Sequence, residues 1–268
     1  MTDQIAIQPI ELSYAPPHLA LDLWRPEKDY RGLVVHAHGG GFVHGSRDDR
    51  IARAYGPLLS ARGIGFASIS YRKGGAPRRA FEPKALERIS AASSKSAAFY
   101  PNVREGLFGP ALYRAAVDFG KAVAFLRSEE ALGLKGCSWV AMGNSSGALA
   151  AIGVAHGLEG LEPQPGVQRP KKCIAIASVA PQPWVLSQDG PPVSLLCARG
   201  DQVFPRNDIS RLDAFIDANA LPVTINRIPY GQHMRPVREV LTDNRGELTG
   251  WAEWLVNEIE SALPRTDG

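Results

Sequence analysis

Short runs of apolar and β-branched residues alternate along the chain with longer stretches whose apolar positions recur at helical spacing. Gln4–Gln8 and Leu19–Trp24, separated by Pro16-Pro17, read as an opening pair of strands near a sheet edge. Further strands are predicted at Gly32–Ala37, Gly65–Tyr71, Cys137–Gly143, Lys172–Val179, Val193–Ala198 and Val223–Ile228. Helical periodicity marks Asp49–Ala61, where Ile51, Tyr55, Leu58 and Leu59 share one side, and then Ala111–Ser128, Ser146–Gly157, Ile209–Asn219 and Gly250–Leu263. Buried strands alternating with helices predict the α/β class: a mostly parallel sheet covered by helices.

The rhythm breaks once. Gly74–Pro110 carries Gly-Gly, several prolines and clustered serines and alanines. Without strand–helix alternation of its own, a stretch of this length reads as a lid or binding insertion. Lys84–Ser90 and Ala92–Ala98 are predicted as short helices within it. Arg78, Arg79, Lys84, Arg88 and Arg104 give it a basic bias, with Phe81, Phe99 and Tyr100 as apolar candidates for a pocket wall. The bias fits either a lid that favours negatively charged substrate groups or a solvated basic surface.

Composition narrows the class. The 268 residues are 44% hydrophobic, enough to fill a core, and the length suits one large α/β domain over residues 1–268, with 74–110 as its insertion. A net charge of +3 from scattered basic residues does not argue for a nucleic-acid partner. Cys137, Cys173 and Cys197 form no C-x-x-C pair and read as small reduced core residues. No stretch is apolar for long enough to span a membrane, and no signal segment opens the chain, so the expected location is cytoplasmic. No metal or organic cofactor is implied, and nothing in the sequence fixes an oligomeric state.

Two glycine-framed motifs carry the chemistry. Gly143-Asn144-Ser145-Ser146-Gly147 matches G-x-S-x-G, in which a serine sits on a sharp strand-to-helix turn. The five-residue pattern is weak alone, but here an apolar strand precedes it and an alanine-rich helix follows. That context places the Ser146 N–H and the helix N-terminus beside Ser145, where negative charge would develop. His38-Gly39-Gly40-Gly41-Phe42 follows the Gly32–Ala37 strand. It lacks the endings of a P-loop or dinucleotide loop, and it suits a cradle of converging N–H groups for an oxyanion.

Together these motifs resemble those of the hormone-sensitive-lipase-like esterases of the α/β-hydrolase superfamily, and of the related BD-FAE or acetylesterase-like enzymes. Ser70-Tyr71-Arg72 is similar to the Asp-Tyr-Arg that ends the corresponding family strand, with Ser70 in place of the acid. The resemblance implies the α/β-hydrolase fold, and it implies Gly40 and Gly41 as oxyanion donors together with Ser146. The order serine, acid, histidine then directs attention downstream. Asp201, in the turn after Val193–Ala198, is the expected acid, with Asp208 and Asp213 as helical, solvent-facing alternatives. His233 follows the last strand and is the one histidine downstream of both serine and acid. Family members often carry an aromatic two residues beyond this histidine; here Met234 and Arg235 follow it.

His44, Phe42 and Asn144 are candidates for substrate contact by their nearness to the two motifs. Trp184 reads equally as core or as pocket wall. The expected partner is a small-molecule ester, and the expected activity is serine-dependent hydrolysis of small or medium carboxylic esters, acetyl esters among them. Two other readings stand beside it: an amidase or formamidase using the same residues, and a non-catalytic small-molecule-binding protein on the hydrolase scaffold.

Overall fold

The computed structural model describes residues 8–15, 19–241, 248 and 250–264. Eight strands form one sheet: β1 (Ile10–Ala15), β2 (Leu19–Trp24), β3 (Gly32–Ala37), β4 (Ile64–Ile69), β5 (Trp139–Asn144), β6 (Lys172–Ile176), β7 (Val193–Ala198) and β8 (Val223–Ile228). Their spatial order is β1-β2-β4-β3-β5-β6-β7-β8. β1 and β2 are antiparallel additions at one edge, and β4, β3 and β5–β8 run parallel.

Seven helices cover the two faces among the described residues: α1 (Arg50–Ser60), α2 (Pro83–Phe99), α3 (Pro110–Ser128), α4 (Ser146–His156), α5 (Arg206–Asn219), α6 (Arg235–Glu239) and α7 (Gly250–Glu260). Alternation along each strand divides the core in two. Leu33, Val35 and Ala37 of β3 and Trp139 and Ala141 of β5 face α2, α3, α4 and α5. Val34 of β3 and Val140 and Met142 of β5 face α1, α6 and α7. β3, β4, β5 and β7 are buried along their whole length, which is why they read as predominantly apolar runs, each with one buried polar residue: His36, Ser68, Asn144 and Ser194. No helix among the described residues is long and apolar enough to cross a membrane.

Several boundaries differ from the sequence reading. The edge strand is Ile10–Ala15; most of Gln4–Gln8 lies outside the described residues, as does Pro16-Pro17. β6 stops at Ile176 rather than Val179, because Ala177 takes a left-handed φ of 53° that ends the ladder. Lys84–Ser90 and Ala92–Ala98 belong to one continuous α2, begun by Pro83 at its first position. Buried serines within it turn their hydroxyls to the backbone: Ser93 Oγ lies 2.7 Å from Ile89 O and 2.8 Å from Phe108 O, and Ser96 Oγ donates to Ala92 O. α6 has too few residues to show periodicity and is absent from the sequence reading.

The parallel ladder sets Ala37, at the end of β3, directly beside Gly143 of β5. There the chain turns from β5 into α4 so tightly that a Cβ on Gly143 would lie 2.5 Å from Gly147 C and O. A Cβ on Gly147 would lie 2.2 Å from Ala37 O and 2.3 Å from His38 O. Both obstacles are backbone and cannot swing away. Gly147→Ala is therefore expected to cost about 3 kcal/mol or more, read as a drop of roughly 6 °C or more in melting temperature. Gly41→Ala meets no atom within 4 Å and bears only the strain of its left-handed φ of 62°, about 1 kcal/mol. The reverse ranking by thermal melts would show that the turn is not sterically fixed.

Candidate active site

Ser145 caps α4 with φ 52° and ψ −121°, a strained conformation for a residue bearing a Cβ. The strain is held from outside: Ser145 N donates to Ile176 O at 2.8 Å, and the two glycines lock the turn against β3. The side chain is thereby presented at the C-terminal end of β5.

His233 comes from the loop after β8. Its Nε2 accepts from Ser145 Oγ at 2.8 Å, and its Nδ1 donates to Asp201 Oδ2, also at 2.8 Å. A carboxylate at Nδ1 fixes the proton there and leaves Nε2 free to accept. Asp201 stands in the loop after β7, where its Oδ1 accepts from Val203 N at 2.8 Å and Phe204 N at 2.9 Å. Gln202 adds a backbone hold, its Oε1 accepting from His233 N at 3.2 Å. All three side chains are buried, although Ser145 and His233 also border a cavity. A hydroxyl bonded to a ring nitrogen, whose other nitrogen is oriented by a carboxylate, is the geometry that activates a nucleophile.

The alternatives for the acid lie elsewhere. Asp213 is half-buried and pairs with Arg227 at 2.5 Å. Asp208 is buried in the first turn of α5, not solvent-facing as its helical position suggested, and neither of its oxygens has a hydrogen-bond partner. His233 touches Asp201.

The glycine loop lies beside Ser145. Gly40, Gly41 and Phe42 have φ of 122°, 62° and 63°, three successive positive values. Among the described residues, the N–H groups of Gly40, Gly41 and Ser146 reach no acceptor. The loop is pinned from several sides. Tyr71 OH donates to His38 O at 2.8 Å, and the His38 ring stacks on Tyr71 with centroids 4.4 Å apart. His38 Nδ1 donates to Gly39 O at 2.7 Å, leaving Nε2 buried and without a partner. Next along the strand, Arg72 clamps the buried Asp118 of α3. The Ser-Tyr-Arg triplet thus ties the glycine loop to the helix layer. Asn144 joins the same framework through His36 Nε2 at 3.2 Å, with Ser68 Oγ 3.2 Å from His36 Nδ1.

A cavity of about 660 Å³ opens over Ser145 and His233, bordered by Gly39, Gly40, Gly41 and Asn144. Of the expected contact residues Asn144 lines it, whereas three others do not. His44 is exposed beyond the loop. Phe42 is turned inward, edge-on to Tyr71, and borders a separate side cavity of about 220 Å³. Trp184 is held away from the cavity by Phe99, by Lys95 Nζ over its ring at 4.2 Å, and by a hydrogen bond from Nε1 to Glu159. Phe81, Phe99 and Tyr100 also lie off the cavity; Tyr100 is buried, its OH donating to Ala180 O at 2.6 Å. The walls instead include Arg50, Asn102, Arg104, Leu107, Met234 and Val237, none of which belongs to a motif.

No family profile matches the chain, and no curated protein matches it by sequence. Solved structures do match. Native esterase 2 of Thermogutta terrifontis superposes over 97% of this chain and 95% of its own, with a TM-score of 0.65 and 16% identity. The propionate-bound form of that esterase covers 88% and 87% with a TM-score of 0.61, and the form phosphorylated by paraoxon covers 85% of each chain with a TM-score of 0.59, both at 16% identity. The fold is that of an α/β hydrolase. At this identity the likeness shows the shared fold, and the chemistry must be argued from the site itself.

Burial of His38 lowers its pKa from an ordinary 6.5 to about 4, and burial does the same to His156. Below pH 6.5 the unfolded chain takes up protons at these rings and the folded chain does not. Stability is therefore lost as pH falls from 6.5 towards 4, by on the order of 2–3 kcal/mol for His38. Urea unfolding of wild type and His38→Gln at about pH 7 and about pH 4.5 should show a smaller pH-dependent loss in the variant. Equal losses would mean that His38 is protonated in the folded state.

Proposed function

We propose that this chain is a serine-dependent carboxylic ester hydrolase, with Ser145 as nucleophile, His233 as general base and acid, and Asp201 as the group that orients the imidazole. The observation that carries the reading is the pair of 2.8 Å hydrogen bonds linking Ser145, His233 and Asp201 at the floor of a cavity. The strained turn at Ser145 and the unengaged N–H groups of Gly40, Gly41 and Ser146 support it.

The reaction follows from these positions. His233 Nε2 takes the proton from Ser145 Oγ as Oγ bonds to the ester carbonyl carbon. The carbonyl oxygen gains negative charge opposite the N–H groups of Gly40, Gly41 and Ser146, each such donor being worth roughly 3 kcal/mol of barrier. The intermediate collapses by breaking the bond to the alcohol oxygen, which leaves with the proton from His233. A water, deprotonated by His233, then attacks the acyl-enzyme; the carboxylic acid departs and Ser145 regains its proton. Asp201, doubly held by Val203 N and Phe204 N, orients the imidazole and stabilises the imidazolium as it forms.

Segment 74–110 is the cap in this reading. Asn102, Arg104 and Leu107 reach the cavity wall, while α2 packs beside α3. The comparison esterase has propionate or butyrate bound in two of its structures, which favours short acyl groups here.

Hydrolysis of p-nitrophenyl acetate, butyrate and octanoate should be fast for the shorter esters, lost in Ser145→Ala, and reduced by orders of magnitude in Asp201→Asn, where the imidazole tautomer is no longer fixed. A fluorophosphonate should label Ser145. A labelled serine without ester turnover would direct the search to amides; neither label nor turnover would point to a binding protein.

A further inference from the structure

We propose that the substrate carries a free carboxylate, held by Arg104 and Arg50 in the cavity above Ser145. The inference rests on the ester-hydrolase reading and names the substrate class for that site. Segment 74–110 carries six basic residues, and of these Arg104 alone borders the cavity. Arg88 is directed outward to Glu162, at 3.6 Å. A second arginine, Arg50, lines the same cavity from the first residue of α1, a different part of the chain.

Neither arginine has a carboxylate partner among the described residues, whereas Arg47, Arg53, Arg72, Arg227 and Arg235 are all paired. Within the cavity wall the one carboxylate is Asp49, and it is committed elsewhere. It caps α1 by accepting from Ala52 N at 2.8 Å, and it lies 3.8 Å from His36 Nε2. Asp201, behind the wall, is bonded to His233. The cavity lining thus sets two arginines, Arg50 and Arg104, against the single carboxylate of Asp49. A concave surface focuses such a field, and a guanidinium matches a carboxylate with two parallel hydrogen bonds.

The shape of the site suggests how the two ends of a substrate divide. Arg104, Gly41 and Leu107 border both the main cavity and the side cavity, the latter closed by Phe42, Val43, Pro77 and Ala111. Arg50 borders the main cavity only. The carboxylate then lies in the main cavity, and a small apolar group enters the side cavity. A monoester of a short dicarboxylic acid has this chemistry.

The test compares mono-p-nitrophenyl glutarate with p-nitrophenyl pentanoate, which differ by a terminal carboxylate in place of a methyl. Wild type should favour the glutarate in kcat/KM by about tenfold or more, and added salt should erode the preference. Arg104→Ala and Arg50→Ala should each lower that ratio by about tenfold, while Arg78→Ala, on the same segment but off the cavity, should leave it in place. A wild-type preference for pentanoate, or an Arg104→Ala effect equal on both esters, would overturn the proposal. If wild type cleaves neither ester, the hydrolase reading fails separately. Calorimetry with monomethyl glutarate then decides the anion site: binding to Ser145→Ala that the added Arg104→Ala weakens supports it, and no binding overturns it.

Discussion

The close backbone contact between the β5–α4 turn and the end of β3 is the constraint on which the site depends. Gly147 lies against Ala37 O and His38 O with no room for a side chain, and Gly143 lies against Gly147 itself. This contact fixes the position of Ser145 relative to the glycine loop, because the same stretch of backbone, Ala37-His38, leads directly into Gly39–Gly41. The candidate nucleophile and candidate oxyanion donors are thus set by one crossing of two chain segments. No flexible side chain intervenes between them, so their relative geometry is as rigid as the sheet.

That rigidity bears a cost in strain, and the surroundings offset it. Ser145 and Phe42 both hold φ values that an L-residue rarely adopts, each costing about 1–3 kcal/mol. Ser145 is restrained by the hydrogen bond from its N–H to Ile176 O. The loop around Phe42 is restrained by Tyr71, which donates to His38 O and carries the rings of His38 and Phe42 against its own. Arg72, the next residue, is locked to the buried Asp118. A buried hydrogen-bonded ion pair adds little net stability, but it fixes where the chain can go. Here it fixes the residue beside the one on which the glycine loop rests.

Much of this was legible in the sequence, and the reason is physical. Fully buried strands are mostly apolar, and the limits of Gly32–Ala37 and Val193–Ala198 can be read to the residue, whereas those of β4 and β5, equally buried, differ from the sequence reading by one or two residues. The residues Ser145, Asp201 and His233 are readable because each follows a parallel strand, and the C-terminal ends of such strands meet at one edge of the sheet. The cavity wall is different. Arg104 could be read from the basic bias of the 74–110 insertion, but Arg50, Asn102 and Met234 are brought beside it by tertiary packing of separate segments, and no local pattern marks them. Nearness in sequence misled in the other direction: His44 is close to the glycine loop along the chain but turns away from the cavity. Trp184 is engaged by Lys95 and Glu159, a pairing across distant parts of the chain that no local pattern displays.

The electrostatics divide the site into two zones with different demands. Around the reacting atoms, charge is excluded or tightly paired: His38 is held neutral by burial, and Asp201 is surrounded by N–H donors. A neutral ring beside the glycine loop places no fixed charge next to the position where the oxyanion would form. Further out, Arg50 and Arg104 are exposed and unpaired among the described residues, where their hydration costs little and their field still reaches into the cavity. In the proposed hydrolysis, stabilising the transition state would require donors that do not move, which backbone would supply. Selecting a substrate would require charge that can adapt, which long side chains on α1 and on the 74–110 segment would supply. Chemistry and specificity can therefore change independently in this scaffold, since nothing in the wall at Arg104 supports the geometry at Ser145.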